Sequence, residues 1–213
     1  MKKSMLITRP EHDDITHYLS KLCAETIALA NSKSMLVFDL LREKAVKDEV
    51  ESRLSKSSPN LVIFNGHGSD NHITGYKNLP LIIAGQNETL LKSKIVYAIS
   101  CRSASVLGPC SIKAGALSYT GYDDDFIFMY EPAKLSKPLT DVTAKLFLEH
   151  SQRFTESLIK GNTVEESFKR SKDNLKDNLL KMMNSDKKDS ELAKYLWWDL
   201  KHLVTHGDLN TKV

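Results

Sequence analysis

The sequence predicts an α/β protein with a doubly wound, mainly parallel sheet sandwiched by helices, and with extra C-terminal helices. Two patterns in the first half indicate this fold: short runs that are apolar at every position, and amphipathic segments that separate them. Continuous apolar runs are typical of parallel strands that are buried on both faces. Because crossovers between parallel strands are right-handed, the intervening helices would cover both faces of the sheet.

The apolar runs place five strands along the chain. They lie near 5–8, 35–38, 61–64, 95–99 and 116–119. An amphipathic helix entered through Asp13 or Asp14 follows the first strand, and a second helix over 45–54 follows the second strand. Residues 70–92 interrupt the alternation, which indicates a hairpin or excursion before a short helix opened by Asn87.

The second half is predicted to be helical, because its apolar residues recur at spacings of three and four from Thr140 onward. Gly161 is typical of a helix C-terminus, and Thr163 with Glu166 forms a capping-box pattern that opens the next helix. Leucines at helical spacing predict a last helix that ends near Gly207.

Length and composition favour one globular domain. The 213 residues are 41% hydrophobic and 27% charged, which is enough apolar material for a sizeable core. We therefore expect a single domain over 1–213, in which 1–135 form the α/β core and 139–207 form C-terminal helices packed on it.

Charge and cysteine content argue against several classes of protein. The 30 basic and 27 acidic residues leave a net charge of +3 without a long basic run, so we expect no nucleic-acid partner. Three cysteines, an odd number, argue against a disulfide framework and for a reducing compartment. No apolar run suits a signal peptide or a membrane span. We expect a cytoplasmic protein without a membrane partner.

Polar residues with nucleophilic chemistry follow the third and fourth strands. The third strand runs into Asn65–Ser69 and the fourth into Ser100–Ser103, and the carboxyl ends of parallel strands meet at one edge of a sheet. An imidazole beside a thiol can take its proton or stabilise the thiolate. We predict that Cys101 is a nucleophile and that His67 moves protons. The N–H groups of Gly68 and Cys101 would form an oxyanion hole.

The sequence supports no second catalytic cysteine, no metal site and no cofactor site. A cysteine after a buried strand or on a buried helix stripe is usually a small core residue, which is the role predicted for Cys23. Cys110 lies near a helix start and is predicted to be structural too. The remaining histidines form no ligand spacing with the cysteines, so no metal site is predicted. Thr8–Pro10 stands where a phosphate-binding loop would follow the first strand, and no cofactor is expected.

The two motif blocks together resemble a known family. Gly66-His67-Gly68 and Ser100-Cys101, with the histidine before the cysteine, resemble the caspase-like cysteine peptidases of clan CD. The run Leu81–Gly85 before the fourth strand, and the helix–glycine–helix segment 147–167, look like the CHAT and separase branch. The resemblance covers residues 5 to about 183.

The resemblance implies a caspase-like fold and a cysteine endopeptidase that acts on polypeptides through a dyad of His67 and Cys101. Relatives are kept latent by self-cleavage or by a protein partner, so a regulatory partner or self-processing is expected. Exposed sites for nicking are expected in loop 131–138 and in the lysine-rich segment 184–190.

The residue accepted before the cut bond is predicted from the carboxylates after the fifth strand. Many arginine-specific members carry an acid two residues before the cysteine, where this chain has Ile99. Asp123, Asp124 and Asp125 are the remaining source of negative charge near this edge, so we predict cleavage after arginine or lysine. Two alternatives remain: the aspartates form a solvated turn, or Arg9 at the first strand end binds an acidic side chain.

A function without catalysis stays open beside the peptidase. The chain could be a catalytically silent caspase-like module or a flavodoxin-like α/β interaction module. Intact His67 and Cys101 argue against the first, and Thr8-Arg9 at the first strand end, where a receiver needs acids, argues against the second.

Overall fold

The computed structural model of the chain describes residues 3–185 and 190–213. Its strands are β1 (Ser4–Arg9), β2 (Leu36–Leu41), β3 (Leu61–Asn65), β4 (Gly68–Ser69), β5 (His72–Thr74), β6 (Pro80–Ile83), β7 (Ile95–Ile99), β8 (Ser118–Tyr122) and β9 (Leu203–Gly207). Its α-helices are α1 (Asp14–Ser32), α2 (Lys47–Lys56), α3 (Leu107–Lys113), α4 (Val142–Ile159), α5 (Val164–Met183) and α6 (Ala193–His202). Short 3-10 helices lie at Arg42–Lys44, Tyr76–Asn78, Glu88–Leu91, Pro132–Lys134 and Pro138–Thr140.

A six-stranded sheet in the order β2-β1-β3-β7-β8-β9 forms the centre of the described part of the chain. The first five strands in this order run parallel, and β9 pairs antiparallel with β8. β3 and β7 are neighbours, and the last residue of β3, Asn65, stands beside Ile99, the last residue of β7. The predicted α/β fold with a mainly parallel sheet is confirmed.

The sheet has a hydrophobic core on each face. Alternate strand residues point to opposite faces, so Ile7 and Ile63 pack with α1, α4, α5 and α6, while Leu6 and Val62 pack with α2, α3 and the hairpin strands. Burial on both faces explains why these strands are apolar at every position.

The excursion between β3 and β7 is a small antiparallel sheet of β4, β5 and β6. The predicted hairpin is therefore present. The Asn87 side chain ties its end together, because Oδ1 accepts the Ile83 N–H at 2.8 Å and Nδ2 donates to the Leu81 carbonyl at 2.9 Å. The 3-10 helix Glu88–Leu91 begins directly after it, where the sequence predicts a short helix.

The prediction for the C-terminal end is wrong in one element. The last helix, α6, ends at His202, and Leu203–Gly207 form β9 instead of continuing the helix. Pairing of β9 with the edge of β8 and the β-branched pair Val204-Thr205 outweigh the helical spacing of the leucines. The segment 139–207 therefore adds a strand to the sheet as well as helices.

Two strand boundaries and one linker also differ from the prediction. β8 begins at Ser118, two residues after the predicted start, and β2 extends to Leu41. The predicted link 184–190 falls largely on 186–189, which lie outside the described residues. Among the described residues, no helix has the length and apolar character to cross a bilayer.

Candidate active site

The carboxyl edge of the sheet between β3 and β7 carries a cavity of about 210 Å³. His67, in the turn after β3, and Cys101, in the turn after β7, both line it. Gly66 and Ser100 lie beside them in the lining. The remaining walls come from two apolar side chains of α1 and from the segment 126–128 after β8. The structure therefore brings the two predicted residues of the dyad to one cavity.

The backbone at His67 is held by the β4–β5 hairpin. The His67 carbonyl accepts hydrogen bonds from the Thr74 N–H at 2.9 Å and from the Thr74 hydroxyl at 3.1 Å. A Cβ on Gly66 would lie 2.2 Å from the Thr74 carbonyl oxygen, so this close approach requires glycine. The glycine before the histidine therefore fixes the backbone that presents the imidazole.

A carboxylate that the sequence analysis did not assign to catalysis contacts the imidazole. The Nε2 atom of His67 lies 2.8 Å from Oδ2 of Asp13. Asp13 is also the N-cap of α1, and its Oδ1 accepts the Thr16 N–H at 2.8 Å. Its place beyond the end of β1, the strand beside β3, is the signal that could have found it.

Asp13 is ionised at neutral pH in this arrangement. Burial alone raises the pKa of Asp13, but hydrogen bonds from Thr16 and His67 outweigh burial and hold that pKa below its usual value. A carboxylate at Nε2 favours the tautomer with the proton on that nitrogen. Within 3–185 and 190–213, Nδ1 of His67 makes no hydrogen bond, so it is the ring nitrogen free to move a proton.

Cys101 lies half-buried in a tight turn. The next residue, Arg102, has φ +55°, a left-handed conformation that reverses the chain directly after the strand. Ser100 donates to the Ser103 hydroxyl at 2.8 Å and closes the turn. The first helix beyond the cysteine, α3, begins only at Leu107, so the strand leads into a turn at the cysteine and not directly into a helix.

The thiol of Cys101 is protonated in the resting protein. Burial raises its pKa, and Sγ donates a hydrogen bond to the Phe126 carbonyl oxygen at 3.6 Å. A thiol in this state is a weak nucleophile, so attack on a carbonyl requires a base that removes the proton.

The two predicted oxyanion donors lie next to each other. A Cβ on Gly68 would come within 2.9 Å of the Cys101 carbonyl oxygen and within 3.0 Å of the Ser100 side chain, so the hairpin touches the cysteine turn. In the antiparallel pair of β4 and β5, Gly68 stands opposite Ile73, and the neighbouring pair of His67 and Thr74 is hydrogen-bonded. Because bonded and non-bonded pairs alternate along an antiparallel ladder, Gly68 and Ile73 exchange no backbone hydrogen bonds. The Gly68 N–H therefore points away from β5.

The Cys101 N–H also has no partner in the described part of the chain.

The three aspartates after β8 lie outside the lining of the cavity. Asp123 accepts from His202 Nδ1 at 2.8 Å, and Asp125 pairs with Arg102 at 3.2 Å. Asp124 accepts the N–H of Asp125 at 2.8 Å. None of the three carboxylates lines the cavity, although Asp125 is near enough to Cys101 to add to the effect of burial in raising the pKa of its thiol.

The alternative cation, Arg9, is also occupied. Its Nε donates to Oδ1 of Asp39 at 2.8 Å, and a second guanidinium nitrogen bonds to Oδ2 of the same carboxylate. Hydrogen bonding to Asp39 raises the pKa of Arg9. Because two of its nitrogens donate to this carboxylate, they are not available to bind an acidic side chain of a substrate.

Hydrogen bonds with α6 hold the segment 126–128, which forms one wall of the cavity. Oδ1 of Asp199 accepts the Ile127 N–H at 3.0 Å, and Trp198 donates to the Asp125 carbonyl at 2.9 Å. The other carboxyl oxygen of Asp199 is buried without a partner in the described residues, and burial raises the pKa of Asp199 well above its usual value. This role of Asp199 was not predictable from the sequence, because an aspartate on an amphipathic helix is usually solvated.

The other cysteines lie away from this cavity. Cys23 is buried in the core under the sheet, and burial raises its pKa to about 12. Cys110 is partly exposed on α3. In the described ranges, no three His, Cys, Asp or Glu side chains are grouped as metal ligands would be.

Solved structures that share this fold with the chain include a pro- and mature-domain complex and two proteinases. The complex of the pro- and mature domains of RgpB from Porphyromonas gingivalis has a TM-score of 0.54 and 12% identity, with 99% of this chain and 48% of that chain covered. The Arg-specific cysteine proteinase gingipain R (RGPB) gives a TM-score of 0.56 and 13% identity, with 99% and 47% covered. A structure described only as a protease gives 0.54 and 15%, with 99% and 48% covered.

These similarities establish the fold. The chain has the caspase-like fold of these proteins, as the sequence predicts, and spans about half the length of the chains it matches. No protein-family profile and no curated protein matches it. The CHAT and separase branch stays a prediction.

Proposed function

We propose that the chain is a cysteine endopeptidase of caspase-like fold. The observation that carries this proposal is the single cavity lined by both His67 and Cys101, with Nε2 of the histidine held by Asp13 and Nδ1 left free. The descriptions of the neighbours as proteinases give independent support. Asp13 acts as a positioning residue in this proposal, because it touches the imidazole and not the substrate.

The arrangement supports a two-step hydrolysis. Sγ of Cys101 attacks the carbonyl carbon of the peptide bond, and its proton passes to Nδ1 of His67. The C–N bond breaks as the imidazolium gives that proton to the leaving amine, which leaves a thioester on Cys101. Water then loses a proton to the same nitrogen and attacks the thioester. The C–S bond breaks, the thiol regains the proton, and the new carboxylic acid leaves.

The free N–H groups at the edge suit the charge that develops in each step. The negative charge forms on the carbonyl oxygen, and donors fixed before the reaction stabilise it without reorganising. We assign this role to the N–H groups of Gly68 and Cys101, as the sequence predicts. The touching backbones of the hairpin and the cysteine turn support the assignment.

A peptide-library cleavage profile tests the proposal. The wild type is expected to cleave a restricted set of peptides, and Cys101→Ala is expected to cleave none. Cys110→Ala is the matched control, because it removes a partly exposed thiol on α3 and should cleave like the wild type. Equal activity of wild type and Cys101→Ala, or no cleavage by either, would favour an interaction module instead.

The residue before the cut bond is the finer part of this proposal. Cleavage after arginine or lysine is the prediction from Asp123, Asp124 and Asp125, and the Arg-specific description of gingipain R supports it. The bonds of Asp123 to His202 and of Asp125 to Arg102 argue against it. The apolar lining of the cavity supports a different side chain.

Control by a further polypeptide is part of the proposal. One neighbour is a complex of pro- and mature domains, which supports regulation by a covering segment or partner, or by self-processing. Loop 131–138 is largely exposed and offers a cleavage site. We expect a Cys101-dependent fragment pattern when the purified protein is incubated alone. Mass spectrometry of wild type beside Cys101→Ala measures it.

A further inference from the structure

We propose that the cavity beside Cys101 is an apolar pocket that accepts a hydrophobic side chain, so that the peptidase cleaves after residues such as leucine, methionine or phenylalanine. This inference rests on the proposed function and names its substrate class. It replaces the basic side chain that the aspartates of 123–125 predict.

The walls of the pocket carry the argument. α1 contributes Ile15 and Leu19, and the segment after β8 contributes Phe126, Ile127 and Phe128. These five side chains come from two separate elements of the chain, α1 and the segment after β8. His67 and Cys101 are the side chains in the lining that can carry a charge, and the proposed mechanism already uses both.

No carboxylate lines this pocket to pair with a cationic side chain. An arginine that entered it would lose its hydration without an ion pair, which strongly disfavours binding. The exposed carboxylate of Asp125 is paired with Arg102. Asp199, below Ile127, uses one oxygen for the Ile127 N–H and is fully buried, so it supports the wall and does not face the opening.

The size of the pocket suits one hydrophobic side chain. Its volume of about 210 Å³ exceeds the ~150 Å³ of an apolar cavity that holds benzene. A leucine or phenylalanine side chain would therefore fit and would displace water from apolar walls. An acidic side chain would be desolvated among the same walls without a partner.

The test uses peptides that differ only in the residue before the cut bond: leucine, phenylalanine, arginine or aspartate. We expect kcat/KM for the leucine and phenylalanine peptides to exceed that for the arginine peptide by at least ~10-fold. Asn substitutions at 123, 124 and 125 together are expected to leave this ratio unchanged. The apolar pocket would be overturned if kcat/KM for the arginine peptide exceeded that for the leucine peptide. A fall of the arginine value in this triple variant or in Asp199→Asn would then identify the carboxylate responsible.

A charge placed in the wall gives a second test. Ile15 is only partly buried, so Ile15→Asp is more easily accommodated than a change at Leu19, which is 2% exposed. Ile15→Asp is expected to raise cleavage after arginine and to lower cleavage after leucine, whereas the uncharged Ile15→Gln is expected to lower leucine cleavage only. Unchanged preferences in both variants, with unfolding temperatures like the wild type, would contradict the proposal.

A binding measurement separates this inference from the proposed function. Peptide aldehydes ending in leucinal or argininal are tested for protection of Cys101 against iodoacetamide. Stronger protection by the leucinal peptide supports the pocket even if turnover is slow, and stronger protection by the argininal peptide contradicts it. No protection by either aldehyde and no cleavage of any peptide would overturn the proposed function, and the substrate pocket with it.

Discussion

Replacing Asp13 with asparagine isolates the contribution of its charge to His67. Asparagine is as good an N-cap as aspartate, so α1 should keep its cap on Thr16 while the carboxylate is lost. The Asp13–His67 contact is 2.8 Å, and the two side chains are 35% and 37% exposed. Because water reaches both groups, the interaction energy is calculated with the dielectric constant of water, which gives about 1.5 kcal/mol at this distance.

That energy corresponds to about a tenfold change in rate, if the imidazolium forms only in the transition state. We expect kcat of Asp13→Asn to fall about tenfold with KM and the unfolding temperature unchanged. The assay is steady-state hydrolysis of a peptide selected from the library, beside thermal unfolding. Asp13→Ala is the comparison, because it also removes the cap and should cost about 1 kcal/mol of stability. An unchanged kcat in Asp13→Asn would refute the positioning role.

Three further predictions concern the scaffold. Gly66→Ala should lower both stability and kcat, measured by urea unfolding and peptide hydrolysis, because its Cβ would lie 2.2 Å from the Thr74 carbonyl; wild-type values would refute the close approach. Cys23→Ala should lower the free energy of unfolding by about 1 kcal/mol without changing kcat, whereas Cys110→Ala should change neither. Burial lowers the pKa of His150 to about 3, whereas the same side chain in the unfolded chain has a pKa near 6.5. Between these two values, His150 binds a proton in the unfolded state and not in the folded state. Stability should therefore fall by about 2 kcal/mol from pH 7 to pH 5, and a flat profile, or the same slope in His150→Gln, would contradict this assignment.

The parts of the fold that depend on local patterns were predictable. β3 and β7 are buried at every residue, and their continuous apolar runs carry that information in the sequence. The placement of His67 and Cys101 at one cavity could be predicted from these strands, because parallel neighbours bring their carboxyl ends together. Leu203–Gly207 were not predictable in this way, because their role as a strand depends on the open edge of β8.

The parts of the site that depend on distant partners were not predictable. The contact of Asp13 with His67 requires the packing of β1 beside β3 and a particular conformer of each side chain. The carboxylates of Asp123 and Asp125 have bonding partners on α6 and in the cysteine turn, which a strand-end pattern does not reveal. Composition at a strand end shows which charges are available, and packing decides where they point.

The most direct test of the account is covalent labelling by a peptidyl acyloxymethyl ketone that ends in leucine, followed by intact-mass and peptide-mapping mass spectrometry. We predict a single adduct on Cys101 in the wild type, a large loss of labelling rate in His67→Ala, and no adduct in Cys101→Ala. His72→Ala, which removes a partly exposed imidazole from the same hairpin, should label like the wild type. Labelling spread over all three cysteines, or a rate that does not depend on His67, would contradict the assignment of His67 and Cys101 as the catalytic pair.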